Sequence, residues 1–254
     1  MKMDAQKSTI VFSPKTAPSA FNARIGFILL NSDEVGEGAF QRVMPDDVAV
    51  YTTRTAYSHA GGEFTTPTSF TEIASTLPPS DRFDVLAFSC TSGTVALGIP
   101  TLLHELEQAC PGVKYTSPGI AMIEALRHVE AKRVALLTPY GYDFHQKFLP
   151  FLASASIHVA ADGVFDCKTD IEICELDVEE ILIAAKALVT QSAADALFLS
   201  CTAMPVVPHL ARFEQELGIP VMSSSQALAW HALKLSKYAA PISGFGRLLD
   251  AQRA

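Results

Sequence analysis

The feature that most constrains this chain is a motif it contains twice. Asp84-Val85-Leu86-Ala87-Phe88-Ser89-Cys90-Thr91 returns as Asp195-Ala196-Leu197-Phe198-Leu199-Ser200-Cys201-Thr202. Each copy is an acidic residue, a short apolar run and then Ser-Cys-Thr. The run is too short for a helix and is bounded by polar residues, so it reads as a buried parallel strand. Ser-Cys-Thr then falls at the carboxyl end of the strand, where open α/β sheets place their ligand crevices. Free cysteine is among the most buried residue types, and either sulfur alone reads as core packing. The repeated flanks, with hydroxyls on both sides of each sulfur, point instead to one site with a thiol on each side.

Strands and helices alternate around the two copies. Residues 24–30 read as a first strand ending in the turn-forming Asn31-Ser32-Asp33, and 48–53 as a second. Residues 133–138 resemble 24–30 and end in Pro139-Tyr140-Gly141. Further strands are predicted over 114–116, 157–165 and 219–222. Helices are predicted over 34–42, 69–76, 100–109, 118–128, 142–155 with a bend at Pro150, 177–190, 204–217 and 224–235. The stretch 55–68, with Gly61-Gly62, Pro67 and several hydroxyls, reads as a mobile loop over the sheet edge. Ser92-Gly93-Thr94 is a small-residue turn suited to bringing backbone N–H groups near an anion. This half-chain repeat argues for an α/β fold of two similar doubly wound parallel-sheet domains, related by a pseudo-twofold axis with the active site in the cleft between them. The expected division is 1–116 plus 224–254 for the first domain and 117–223 for the second, because the last segment returns to the first.

Composition excludes several function classes. Apolar residues are 49% and charged residues 18% of the 254-residue chain, the profile of a compact globular enzyme. A formal charge of −8 without any Lys/Arg cluster argues against a nucleic-acid surface. No apolar run approaches the roughly 18 residues of a membrane span. The first 24 residues are polar, include Pro14 and Pro18, and lack the apolar core of a signal peptide. The five cysteines stand at 90, 110, 167, 174 and 201, with no Cys-x-x-Cys and no zinc-like spacing. A reduced, cytoplasmic setting is the default. No phosphate-loop or dinucleotide signature is present, so the expectation is neither metal nor cofactor. The expected partner is a small-molecule carboxylate, and a homo-oligomer is left open.

The chemistry follows from the residue types. A thiol's pKa falls at a helix N-terminus or beside a cation, and both Ser-Cys-Thr segments precede a candidate helix. Two thiols on opposite faces of a bound carbon acid can remove a proton from one side and return one to the other. Alternatively, one thiolate attacks carbon while the other supplies a proton. Thr91, Ser92, Thr94 and Thr202 are placed to hold a carboxylate and stabilise charge that develops on it. Tyr140, at a strand's carboxyl edge, is expected to face the same cleft.

At these residues the chain resembles the aspartate/glutamate racemase superfamily, in the branch of maleate cis-trans isomerase and arylmalonate decarboxylase. The resemblance runs from Arg24 to about Leu248. It rests on Cys90-Thr91-Ser92-Gly93, Ala135-Leu136-Leu137-Thr138-Pro139-Tyr140, Leu199-Ser200-Cys201-Thr202 and the run from Pro220 through Leu228. The ending, with Trp230-His231 and Gly244-Phe245-Gly246-Arg247-Leu248-Leu249, is most similar to a racemase-like group associated with ectoine utilisation. The resemblance implies a cofactor-independent isomerase with Cys90 and Cys201 as catalytic pair, Thr91 and Ser92 as oxyanion-binding residues and Tyr140 on a substrate carboxylate. Decarboxylases of this branch keep only the second cysteine, so Cys90 argues against decarboxylation. One departure matters. Where maleate isomerases carry a carboxylate-binding Asn after the first strand, this chain has Asp33. An anionic side chain repels a second substrate carboxylate unless it is protonated or paired. The expectation is therefore a racemase or isomerase of a small carboxylate, for which an amino-acid derivative from ectoine breakdown is one candidate, with Asp33 and Thr202 among its binding residues. The alternatives are maleate-type cis-trans isomerisation with Cys90 as nucleophile, or a catalytically silent ligand-binding relative.

Overall fold

The computed structural model describes residues 12–17, 19–59 and 63–250; Pro18 and Gly61-Gly62 lie outside the described residues. The first half contributes strands β1 (Ala23–Leu30), β2 (Val48–Thr55), β3 (Val85–Ser89) and β4 (Lys114–Thr116). The second contributes β5 (Val134–Thr138), β6 (Val159–Val164), β7 (Ala196–Leu199) and β8 (Val221–Ser223). They build two four-stranded sheets, ordered β2-β1-β3-β4 and β6-β5-β7-β8, with every pairing parallel. The order is the same in both, second strand outermost and first strand central, as the repeated motif requires.

The acidic residue that opens each motif copy has a matching task in each half. Asp84 accepts the Arg24 N–H at 2.8 Å on its carboxylate and donates its own N–H to the Arg24 carbonyl at 2.8 Å. Asp195 accepts the Arg133 N–H at 2.9 Å and donates to the Arg133 carbonyl at 2.9 Å. These clamps fix the register in which β1 meets β3 and β5 meets β7. In both halves the motif strand then alternates faces at the expected period of two. Val85, Ala87, Ala196 and Phe198 turn to one core, and Leu86, Phe88, Leu197 and Leu199 to the outer cores.

Helices cover both faces of each sheet: α1 (Gly36–Val43), α2 (Phe70–Ala74), α3 (Thr91–Leu97), α4 (Ile99–Ala109), α5 (Pro118–His128), α6 (Tyr142–His145), α7 (Phe148–Ser154), α8 (Asp170–Cys174), α9 (Val178–Ser192), α10 (Leu210–Leu217), α11 (Ser224–Leu235) and α12 (Arg247–Asp250). Helix α11 packs on α1, β3 and β4, and also lies along α5. Through Met122, Leu126, Leu228 and Trp230, these two helices join the inner faces of both sheets into one core. A hydrogen bond of 2.7 Å between Thr116 and His231 ties α11 to the end of β4. The core is thus continuous across the halves, and a cut at 116/117 and 223/224 is proposed as the division between them.

Several elements differ from expectation for local reasons. The helix expected over 142–155 is two, α6 and α7, with the break at Gln146-Lys147 rather than at Pro150. Pro150 sits in the first turn of α7, where its missing N–H has no intrahelical acceptor to serve. The helix expected from 204 starts only at Leu210, because Pro205 and Pro208 interrupt the chain and leave turns and a 3₁₀ segment over Val207–His209. Ser92-Gly93-Thr94 is not a turn but the opening of α3. Helix α8 was not anticipated; Thr169 caps it by accepting the Glu172 N–H at 3.2 Å.

Candidate active site

Cys90 and Cys201 occupy the position one residue beyond Ser89 and Ser200, at the carboxyl ends of the two central motif strands. Both are buried. Cys90 caps α3: its Sγ accepts the Gly93 N–H at 3.1 Å, and the Ser92 Oγ lies 3.4 Å away. Thr94 donates its hydroxyl to the Cys90 carbonyl at 2.7 Å, which holds the cap residue in its extended backbone conformation. Cys201 lacks a helix of its own. It is followed by the proline-broken turns before α10, and its polar neighbours are Tyr140 and the Ala203 N–H.

The expectation that helix dipoles lower both thiol pKa values is overturned. Burial pushes Cys90 up to about 12, against smaller opposing contributions from Ser92 and the Gly93 N–H, and with Asp170 and Asp33 adding to the rise. Cys201 is pushed up by burial as well, and the charges of Asp33 and Cys90 push in the same direction. Desolvation of a thiolate in a closed cleft outweighs one short helix end. The mutual influence of the two sulfurs puts them in one electrostatic environment. Tyr140 links them: its hydroxyl is within reach of Cys201 and Thr91, it feels both cysteines, and burial raises its pKa well above the ordinary tyrosine value.

The other expected residues gather around this pair. Thr91 and Thr202 are buried. Thr91 donates to the Ser224 Oγ at 3.0 Å, and the Thr202 carbonyl accepts the Ser225 hydroxyl at 2.9 Å, so the start of α11 braces both motif copies. The hydroxyls of Ser89 and Ser200 are buried without partners among the described residues, and the strand alternation turns them to the side opposite the sulfurs.

Asp33 is only 3% exposed. Its Oδ1 accepts the N–H groups of Val35 at 3.0 Å and Gly36 at 2.8 Å, which anchors the carboxyl to the start of α1. Gly36 is required there, since a Cβ would stand 2.8 Å from Asp33 Oδ2. Oδ2 is buried and accepts no hydrogen bond from the described residues, although the nearby Thr202 hydroxyl favours the ionised form. The cation beside it is Arg54, whose guanidinium binds the carbonyls of Leu30 at 3.0 Å and Asp33 at 2.9 Å and the Glu37 carboxylate at 2.9 Å. Arg54 therefore braces the turn more than it neutralises the side chain. Burial dominates, and the Asp33 pKa is raised.

Beside the sulfurs, reached through Ser92 and Tyr140, lies a cavity of about 490 Å³, lined by Tyr57, His59, Ser92, Tyr140, Phe144 and Asp170 among others. Tyr57, His59, Phe144 and Asp170 stand outside the expected set. Tyr57 and His59 come from the stretch after β2, held in shape by a Ser58–Thr65 bridge. Asp170, at the start of α8, reaches across from the second half: its Oδ2 accepts the Ser32 hydroxyl at 2.5 Å and the Tyr57 hydroxyl. Two signals were available. One was the Tyr57-Ser58-His59 run within an otherwise small-residue loop; the other was the Thr169-x-x-Glu172 spacing of a helix start. Neither says what the side chains meet in space.

Two like-ordered parallel sheets, each with a thiol just past the carboxyl end of the same central strand, fit a duplicated α/β protein of the Asp/Glu racemase-like superfamily. Sequence comparison narrows this. The family model described as arylmalonate decarboxylase matches residues 100–249. A maleate isomerase of Nocardia farcinica is 30% identical over 192 residues, covering 72% of this chain and 74% of that protein. An arylmalonate decarboxylase of Bordetella bronchiseptica is 29% identical over 151 residues, covering 55% of this chain and 59% of that protein. The chain belongs to the arylmalonate decarboxylase family. Solved structures agree on the fold. A Nocardia farcinica maleate cis-trans isomerase with a covalently bound succinylcysteine intermediate superposes with a TM-score of 0.76 at 22% identity, over 90% of this chain and 98% of that one. Unliganded arylmalonate decarboxylase superposes with a TM-score of 0.74 at 22% identity, over 90% and 99%.

Proposed function

We propose that this protein is a cofactor-independent isomerase that racemises a small carboxylate bearing a nitrogen substituent, of the kind an ectoine-derived amino acid presents, with Cys90 and Cys201 as its acid/base pair. The isomerase class draws support from the relatives named maleate isomerase. The observation that carries the substrate class is Asp33 Oδ2, a buried acceptor in the neighbourhood of both sulfurs that forms no hydrogen bond with the described residues and has only the Thr202 hydroxyl as a side-chain donor nearby. An ammonium or amide N–H would satisfy it, whereas a second carboxylate would meet it oxygen to oxygen. Thr91, Ser92 and Tyr140 receive the carboxylate at the other end, and Thr202 supports Asp33. One thiolate takes the α-proton while the opposite thiol donates to the other face, and hydroxyl and N–H donors stabilise the charge that accumulates on the carboxylate between the two transfers.

Deuterium exchange tests this. In heavy water, Cys90→Ser should lose racemisation yet still wash deuterium into the α-carbon of one enantiomer, and Cys201→Ser should show the opposite preference. A second reading, maleate-type isomerisation with Cys90 adding to a double bond, is favoured by the raised pKa of Asp33, since a neutral carboxylic acid can donate to a carboxylate as an asparagine does. Conversion of maleate to fumarate, with no α-exchange on any amino-acid derivative, would establish that second reading and overturn the first.

A further inference from the structure

Among the described residues His59 is the one histidine lining the cavity that Ser92 and Tyr140 border. Its Nε2 lies 3.3 Å from the Ser92 Oγ, and that oxygen lies 3.4 Å from the Cys90 Sγ. The three groups form a continuous polar line from the reacting sulfur to an imidazole. We propose that His59 is the proton acceptor for Cys90, working through the Ser92 hydroxyl, which gives the Cys90 proton a route out of the closed cleft.

The transfer balances within the line. The Cys90 Sγ proton moves to the Ser92 Oγ as the Ser92 proton moves to His59 Nε2, leaving a thiolate and an imidazolium with no change in net charge. The Gly93 N–H, at 3.1 Å from the sulfur, stabilises the thiolate that results. The cleft needs such a route. Cys90 is 3% exposed, so water is a poor acceptor for its proton, and burial alone holds the thiol protonated.

The surroundings of the imidazole decide how well it accepts. Tyr57, Phe64 and Phe144 pack around the ring at centroid distances of 5.4, 5.2 and 5.4 Å, and burial disfavours its charged form. Asp170 opposes this by favouring the cation, while Lys147 works against it. At the sulfur end the charges of Asp170 and Asp33 oppose thiolate formation, and Ser92 and the Gly93 N–H favour it. Asp170 is bonded to Tyr57, which packs edge-on to His59, so the same carboxylate that stabilises the imidazolium also positions it. Cys201 has no counterpart. The groups acting on it are Tyr140, the Ala203 N–H, Asp33 and Cys90. His59 is thus a positioning and relay residue for one sulfur of the pair.

The inference rests on Cys90 being a reacting group and holds whether that sulfur acts as base or nucleophile. Its test uses no substrate, so its failure is distinct from failure of the racemase reading. The rate of Cys90 alkylation by iodoacetamide, located by fragment mass spectra, is followed against pH in the full chain. The thiolate is the reacting species, so the inflection reports Cys90 ionisation. His59→Gln should move the inflection up by about one pH unit or more, an approximately tenfold loss of reactivity at neutral pH. Ser92→Ala should reproduce that shift, and the double variant should add nothing to it. The solvent-accessible Cys167 serves as the control and should keep its profile in all three. Ser92→Ala introduces no new bulk, so an unshifted Cys90 profile in that variant overturns the proposal even if His59→Gln misfolds. A Cys90 profile that superimposes on the unsubstituted protein in Ser92→Ala, or in a folded His59→Gln, overturns the proposal.

Discussion

Asp33 shows how a single side chain in this site is set by its surroundings. Two backbone N–H groups favour its ionised form, yet burial outweighs them and its pKa stands above the ordinary value of 3.8. The sign of the consequence follows from linkage. A carboxyl whose folded pKa is raised binds its proton more tightly in the folded chain than in the unfolded one. The stability it contributes is complete below the unfolded pKa and is lost as pH rises through the folded pKa. Asp33→Asn removes that titration while keeping the Oδ1 acceptor for Val35 and Gly36. In thermal melts the variant should match the wild type near pH 4 and become progressively more stable than it as pH rises towards neutrality. A gap in Tm that is the same at every pH would show that Asp33 does not titrate differently on folding. The cysteines obey the same rule at this scale. Cys90 has a helix start and a donor at 3.1 Å, and burial still lifts it to about 12.

Among the elements, β3 and β7 are equivalent in what holds them as well as in sequence. Asp84 and Asp195 each close a reciprocal pair of hydrogen bonds with the start of the neighbouring strand, and Asp195 also accepts the Lys132 N–H at 2.9 Å. Asp84→Ala and Asp195→Ala should each cost about 1–3 kcal/mol, the range for a charged acceptor lost from backbone donors. The two clamps share no partner, so the double variant should lose the sum to within about 0.5 kcal/mol. Denaturant titration measures all three. A double variant no less stable than the worse single one would show that the clamps act as one unit. Helix α8 marks the other side of element-scale behaviour. It is a single short turn with little to announce it, yet it places Asp170 against Ser32 and Tyr57 of the opposite half.

At the scale of the whole molecule, α5 and α11 make one body of two repeats. Leu228 is fully buried in the core that both sheets share. Leu228→Ala should cost about 2–5 kcal/mol, the range for a large-to-small change in a well-packed core. Calorimetry should show one transition that shifts as a unit. Two transitions, of which one stays in place, would mean that the halves unfold independently. Among the described residues no helix is long and apolar enough to cross a membrane.

The sequence by itself determined the duplicated architecture, because a repeated apolar strand with a repeated polar end can be buried in only one way, twice. It also placed Cys90, Cys201, Thr91, Thr202 and Tyr140 at strand ends or just beyond them, since a residue's position along a buried strand follows from local pattern. Helix starts at prolines were less legible at Pro150, Pro205 and Pro208, where the same residue opens one helix and postpones another. The tertiary structure alone decided the protonation of the site and its roof. Whether a thiol lies at a helix start is a local property, but whether it is desolvated depends on what packs over it, and here burial reversed the expected direction. His59 reaches Ser92 across 33 positions of sequence, and Asp170 reaches Tyr57 across 113. Such contacts leave no periodicity to read, because they are made by chain segments that meet only when the fold closes.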